Sequence, residues 1–214
     1  MDEKEKLQIQ QPDSVNFYEG GSYGEFRFEA YSHQVRETLK LNPQSVLVIG
    51  QGDNIVPSIL RGFVKRKIHV DTFDFVEDMN PTYLGDVRQV DKIVKMKYDV
   101  ILCCEVLEHI PFEDFSRCLE GMRNLLSSGG GVVLSLPVFG FSRYVKISGL
   151  GTFIIALPFY KPGLKVNCGE HHWEINDRNG VTKENVLKKI RDIFSVKKYY
   201  RAKDSPYHMF FILN

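Results

Sequence analysis

Residues 45–54 read SVLVIGQGDN, an apolar run that stops at two glycines, Gly50 and Gly52, with a single residue between them. A short run of this kind, bounded by turn residues, is a strand able to bury both of its faces. A glycine-rich turn after such a strand lets backbone come close to a ligand and sets the free amides of a following helix beside it. The stretch therefore predicts a strand, a ligand-binding turn and a helix, in that order. Both glycines are on offer to the ligand, and the sequence leaves open which one serves it.

Outward from that turn, the helix is expected to start after Asn54, with Pro57 tolerated in its first turn and Ile59, Leu60 and Phe63 on its buried face. Upstream, Phe28, Tyr31, Val35 and Leu39 fall at helical spacing, which predicts an amphipathic helix over 26–39. Downstream, IHVDTFDF (68–75) and the almost wholly apolar YDVILCC (98–104) read as further strands. Too few residues separate Asp74 from Leu84 for an ordinary parallel crossover, so the third strand is expected to be short or its helix reduced to a turn. Within 111–126, Phe115, Leu119, Met122 and Leu126 step by four, three and four, a helix that SSGGG is expected to end before the strand VVLSLP (132–137). A helix over 182–194 then precedes SVKKYYRA and HMFFIL, two β-rich runs split by Asp204, Ser205 and Pro206. Strands alternating with helices predict an α/β fold: a doubly wound, mostly parallel sheet with a C-terminal antiparallel hairpin.

The 214 residues, 43% of them hydrophobic, suffice for one substantial core, so a single domain is expected over 1–214, with 1–15 disordered. The 28 basic and 27 acidic residues nearly cancel, which leaves no overall charge to recruit nucleic acid, and no such partner is expected. Cys103, Cys104, Cys118 and Cys168 lack Cys-x-x-Cys spacing; they read as buried thiols in a reducing compartment rather than a disulfide frame or zinc site. The N-terminus is charged and polar, without the apolar region of a secretory signal. The longest apolar stretch, GLGTFIIALPFY (149–160), falls short of the ~20 residues of a spanning helix, so a cytoplasmic location is expected.

The dinucleotide fingerprint G-x-G-x-x-G puts its third glycine where this chain has Ile55, which disfavours a bound pyrophosphate. Asn54 instead takes the last position of a G-x-G-x-G turn, and asparagine is the non-glycine residue that best tolerates positive φ. Asp74 lies 22 residues beyond Gly52, near the ~20-residue offset at which an acidic side chain accepts ribose hydroxyls.

VLVIGQGDN, DTFDF, LGDVRQV, YDVILCCEVLEHIPFEDF and SSGGGVVLSLP occur in the order and spacing of the class I S-adenosylmethionine-dependent methyltransferases. CEVLEHIP closely resembles the segment after the fourth strand in the small-molecule branch of that superfamily. The resemblance implies a Rossmann-like fold and S-adenosyl-L-methionine as cofactor. It implies that Gly50 and Gly52, in the turn closed by Asn54, flank the methionine part, and that Asp74 holds the ribose diol. Asp86 would accept from the adenine amino group while the Val87 amide meets the ring, and Cys104 and Glu105 would face the aminoacyl end. Val48 stands where many relatives carry an acidic residue.

A sulfonium methyl is already activated, so the protein's task is to align an acceptor with it and exclude water. A general base is needed only where the acceptor is protonated. Candidates are His109 in EVLEHIP, which is equally placed to cap the helix near Pro111, and His171 and His172 in GEHHWEI, with Glu170, Trp173 and Glu174 beside them. Adjacent histidines in a strand point to opposite faces, and no second cluster completes a coordination sphere, so no metal is expected. Residues 138–172 form an insertion that is expected to shape the acceptor site, or simply to complete the core. Its apolar residues, rimmed by Arg143, Lys146, Lys161 and Lys165, suit a small-molecule or lipid-like acceptor and a peripheral membrane contact through 143–165. Two other readings share the fold: a nicotinamide-dependent oxidoreductase, against which Ile55 and CEVLEHIP argue, and a non-catalytic binding module, for which Val48 and Asn54 argue.

Overall fold

In the computed structural model, β1 (Ser45–Ile49) and β4 (Tyr98–Cys104) are buried along almost their whole length. Their side chains alternate between two cores: Leu47, Ile49, Ile101 and Cys103 enter one, and Val46, Val48, Val100 and Leu102 the other. That is the period-two pattern of a sheet covered on both faces. The structure describes residues 22–62, 65, 67–147, 151–157, 171–177 and 180–214, with backbone alone at 22–25, 141–147 and 151–157.

Beside these strands lie β2 (His69–Asp74), β3 (Tyr83–Leu84), β5 (Leu126–Pro137), β8 (Val196–Arg201) and β9 (His208–Leu213), in the order β3-β2-β1-β4-β5-β9-β8. The first five pair in parallel, and β9 runs antiparallel to both β5 and β8, which is the expected terminal hairpin. A separate antiparallel pair, β6 (Phe141–Ile147) and β7 (Gly151–Leu157), occupies part of the insertion. On the Val46 face, α1 (Ser22–Lys40) and α2 (Ile55–Gly62) supply Tyr31, Val56 and Leu60 to the core. On the Leu47 face, α3 (Val90–Ile93), α4 (Phe115–Leu125) and α5 (Lys183–Arg191) supply Val90, Phe115, Leu119, Val186 and Ile190. α5 opens at Thr182, whose hydroxyl accepts from the Asn185 amide while the Asn185 side chain accepts from the Thr182 amide.

Three expectations need correction. SSGGG does not end the helix as a loop: α4 stops at Leu125, and Leu126 through Gly131 already belong to β5. There the pairing with β4 jumps from Tyr98↔Leu126 to Val100↔Gly131, so the extra residues bulge outward. A Cβ at Gly131 would sit 2.8 Å from the Leu213 carbonyl oxygen and one at Gly130 2.9 Å from that of Asp99, so these two glycines serve close backbone packing between strands. On α2 the residues turned inward are Val56, Pro57 and Leu60, with Ile59 half-buried. An eight-residue helix cannot sink every apolar residue against one sheet face; Phe63 lies outside the described residues. Third, residues 112–114 form a 3-10 turn before α4 rather than its first turn.

The connection from β2 to β3 shrinks to the single turn Glu77–Met79, and β3 has two residues, so both alternatives raised by the spacing hold. Cys103 and Cys118 are buried free thiols and Cys104 is half-buried; Cys168 and residues 1–15 lie outside the described residues. Among the described residues no helix is long and apolar enough to cross a membrane.

Candidate functional site

At the C-terminal ends of β1, β2 and β4 the chain makes a run of left-handed turns, at Gly50 (φ +73), Gly52 (φ +54), Asn54 (φ +61) and Glu105 (φ +55). Asn54 adopts the conformation its place in the turn predicts, and its carbonyl accepts from Ser58 to open α2. The two glycines differ in what surrounds them. A Cβ on Gly50 would lie 2.3 Å from Cγ2 of Val106, because the loop after β4 packs directly on it. A Cβ on Gly52 would meet nothing within 4 Å. Gly50 thus serves internal packing, while Gly52 faces open space.

Asp74, at the end of β2, turns its carboxylate into this loop: one oxygen accepts from the Gln51 amide at 3.0 Å and the other from the Val76 amide at 3.1 Å. Burial raises its carboxyl above the ordinary 3.8. The Gln51 side chain donates to the Met79 carbonyl and so ties the glycine loop to the turn after β2. No sequence signal assigned Gln51 that role. Val48 turns toward α1 and α2, packed in their core, so an acidic residue there would be buried in apolar surroundings.

Asp86 caps the turn Val87–Gln89 and pairs with Arg88, whose Nε lies 2.9 and 3.0 Å from the two carboxylate oxygens. The guanidinium holds the Asp86 carboxyl below its usual range against the opposing effect of burial, and Arg88 also reaches Asp114. Val87 is buried beneath this pair. Arg88 is a functional neighbour that the sequence reading missed. Cys104 directs its thiol away from the loop, toward the Val133 carbonyl, and burial pushes its pKa far up, so its contribution to the site is backbone. Glu105 accepts from the Ser135 hydroxyl at 2.8 Å, and burial raises its carboxyl to about 7.

A second group of side chains assembles just beyond, where the turn Leu107–His109 meets the residues from His171 onward. Trp173 fastens the two: its indole donates to the Ile110 carbonyl at 3.0 Å, and its ring packs edge-on against Phe112 and Phe115. The His172 amide donates to the Glu108 carbonyl, while the His172 side chain turns outward, exposed, beside Pro111 and Glu113. His171 instead turns inward. Its ring meets that of His109 at 4.7 Å between centroids, and its Nδ1 lies 2.9 Å from Glu174 Oε1. Tyr207 donates to the same Glu174 oxygen at 2.9 Å. The structure thus joins His109 to His171 and leaves His172 apart. Glu108 stands between those two histidines, fully buried, and it was not singled out in sequence although it interrupts the apolar run VLEHI. Glu170, Lys161 and Lys165 lie outside the described residues, as do the side chains of Arg143 and Lys146.

A family model described as "Methyltransferase domain" matches residues 23–146, more than half of the chain. Among solved structures, N-methyltransferase NodS from Bradyrhizobium japonicum WM9 in complex with S-adenosyl-l-homocysteine is 12% identical, with a TM-score of 0.57 over 98% of this chain and 94% of that one. A 1,6-didemethyltoxoflavin-N1-methyltransferase from Burkholderia thailandensis is 14% identical, with a TM-score of 0.58 over 100% and 90%. An S-adenosylmethionine-dependent methyltransferase from Clostridium acetobutylicum ATCC 824 is 11% identical, with a TM-score of 0.58 over 87% and 91%. No curated protein matches the chain by sequence. The sheet order, the left-handed turn after β1 and the family match together place the chain in the methyltransferase-domain family, among the class I S-adenosylmethionine-dependent methyltransferases.

Proposed function

We propose that the chain, as one methyltransferase domain, seats S-adenosylmethionine across the ends of β1, β2 and β4 and methylates a small-molecule acceptor held beside Glu105, His109 and His171. The observation that carries this reading is the preformed loop: three left-handed residues, Gly50, Gly52 and Asn54, held by the Asp74 carboxylate at a sheet edge where α/β folds bind ligands. The residues fit the cofactor, since the loop leaves open space above Gly52 for the methionine part. The Asp74 carboxylate, which faces the backbone amides of both the glycine loop and the turn after β2, would be the acceptor for the ribose hydroxyls. Asp86 and Val87 would border the adenine, and the Cys104–Glu105 backbone the aminoacyl end.

The bound sulfonium supplies an activated methyl group, and what remains falls to the chain's own residues. The turn at 107–109 and the Trp173 anchor fix the acceptor side. His109 and His171 are the groups positioned to take a proton from an acceptor that carries one. The Burkholderia enzyme, named for N1-methylation of 1,6-didemethyltoxoflavin, supports that acceptor class, and NodS is likewise an N-methyltransferase.

Isothermal titration with S-adenosylmethionine, S-adenosylhomocysteine and NAD tests the seat. Micromolar binding of both adenosyl ligands and none of NAD is expected; silence toward both adenosyl ligands overturns the reading. For the acceptor's polarity, the apolar run at 149–160 with its basic rim supports a lipid-like molecule. Deleting 149–160 is then expected to abolish co-sedimentation with anionic liposomes, and unchanged sedimentation removes the membrane contact.

A further inference from the structure

We propose that Glu108, His109 and His171 form a binding site for a single divalent transition-metal ion of the zinc type. Glu108 is fully buried, and neither of its carboxylate oxygens has a hydrogen-bond partner among the described residues. A buried carboxylate in that state demands either a proton or a cation. Its Oε1 lies 3.9 Å from Nε2 of His109 and 3.9 Å from Nε2 of His171, and one ligand atom from each of the three residues falls within 4.8 Å of the other two. Ligand atoms at about 2.1 Å from a tetrahedral ion stand about 3.4 Å apart, so an ion would shorten each Glu108–histidine separation by about half an ångström and the His109–His171 separation by at most about 1.4 Å. Side chains can supply a shift of that size without moving the turn or the Trp173 anchor.

The surroundings fit the same assignment. The other nitrogen of His171 meets Glu174, itself held by Tyr207, which is the carboxylate–imidazole arrangement that orients a metal-bound histidine and leaves Nε2 free to coordinate. The side chains of His109 and His171 are 26% and 18% exposed, which gives an ion an entry path from the face away from Glu108. Two imidazoles with one carboxylate, and no thiolate among them, select zinc or a neighbouring first-row ion over calcium or magnesium. Three protein ligands leave a coordination position vacant on the exposed side. Glu105 lies within electrostatic reach of both His171 and Glu108, so the cluster borders the acceptor side of the proposed methyl-transfer site. With the ion bound, both Nε2 lone pairs are taken, so the ion would replace the two histidines as the group that orients and acidifies an acceptor oxygen or nitrogen; that role rests on the proposed function, and ion binding itself does not.

The test uses the full chain after chelation and dialysis, titrated with Zn2+ by calorimetry and with Co2+ by visible absorption. One ion per chain is expected, with the intense visible bands of low-coordinate Co2+ and a rise in Tm on adding Zn2+. Glu108→Gln keeps the shape of the side chain and is expected to weaken Zn2+ binding by at least about 100-fold, as is His171→Ala. S-adenosylhomocysteine affinity should be unchanged in both variants, which separates failure of the metal site from failure of the cofactor seat. Absence of saturable Zn2+ binding, or binding that survives the Glu108→Gln, His171→Ala double variant, overturns the proposal. If Glu108 carries a proton instead, Glu108→Gln will leave Tm unchanged or raised while wild type ignores Zn2+, and that result also overturns it.

Discussion

Gly50→Ala is expected to destabilise the protein by about 2–5 kcal/mol. Two costs combine. The residue sits at φ +73, where a Cβ costs roughly 1–2 kcal/mol. That Cβ would also lie 2.3 Å from Cγ2 of Val106, and overpacking of this kind costs typically about 1–3 kcal/mol. Val106 cannot step aside freely, because the Glu105 amide before it is bonded to the Ser135 carbonyl and Leu107 after it is fully buried. Urea denaturation reads the loss as a lower midpoint at constant slope. Gly52→Ala provides the contrast. It shares the left-handed backbone, at φ +54, but its Cβ meets nothing within 4 Å among the described residues, so only the backbone cost of roughly 1–2 kcal/mol should apply. Its methyl would project into the space assigned to the cofactor, and S-adenosylhomocysteine affinity is where its effect should appear. Equal stability losses in the two variants would show that Val106 does not press on Gly50 in solution.

The same pair of glycines shows how far the sequence could be read. The strand, the turn and the helix after it follow from local rules, because an apolar run, glycines and helical spacing act over a few residues. Which of the two glycines is packed against the protein itself depends on Val106, which lies 56 positions away in the chain and touches Gly50 only once β1 and β4 pair. SSGGG misled for a related reason. Its glycines look like a helix stop, but Gly131 answers to Leu213 at the far end of the chain and Gly130 to Asp99 on β4, which a local reading does not see. His109 and His171 were named from their type, yet their partnership is made by Trp173 reaching the Ile110 carbonyl across 63 residues. Glu108 was passed over because a charged residue beside a histidine in a loop reads as solvated. Its complete burial is a property of the packed loop and not of the segment.

Asp74→Ala is the substitution expected to cost most in ligand affinity. If Asp74 accepts both ribose hydroxyls in charge-assisted hydrogen bonds, their removal should weaken S-adenosylhomocysteine binding by roughly 1.5–3 kcal/mol, about 10- to 150-fold. The structure adds a second route to the same loss. The Gln51 and Val76 amides, which now donate to Asp74, would be left without that acceptor, and the glycine loop would lose the group that holds its shape. A pH series separates the ligand bonds from the scaffold. Burial raises the Asp74 carboxyl above its ordinary 3.8, so protonation begins at higher pH than for an exposed aspartate. The sign for folding follows: the folded state holds the proton more tightly than the unfolded chain, so this group's contribution to stability falls as pH rises through the raised value. For the ligand the sign is opposite. A protonated carboxyl loses its charge-assisted acceptors, so affinity should fall as pH drops through that same value. Calorimetry across that range should show the wild-type affinity falling on acidification and the Asp74→Ala affinity, already low, staying flat. An Asp74→Ala variant with wild-type affinity would mean that the ribose is held elsewhere and that Asp74 only shapes the loop.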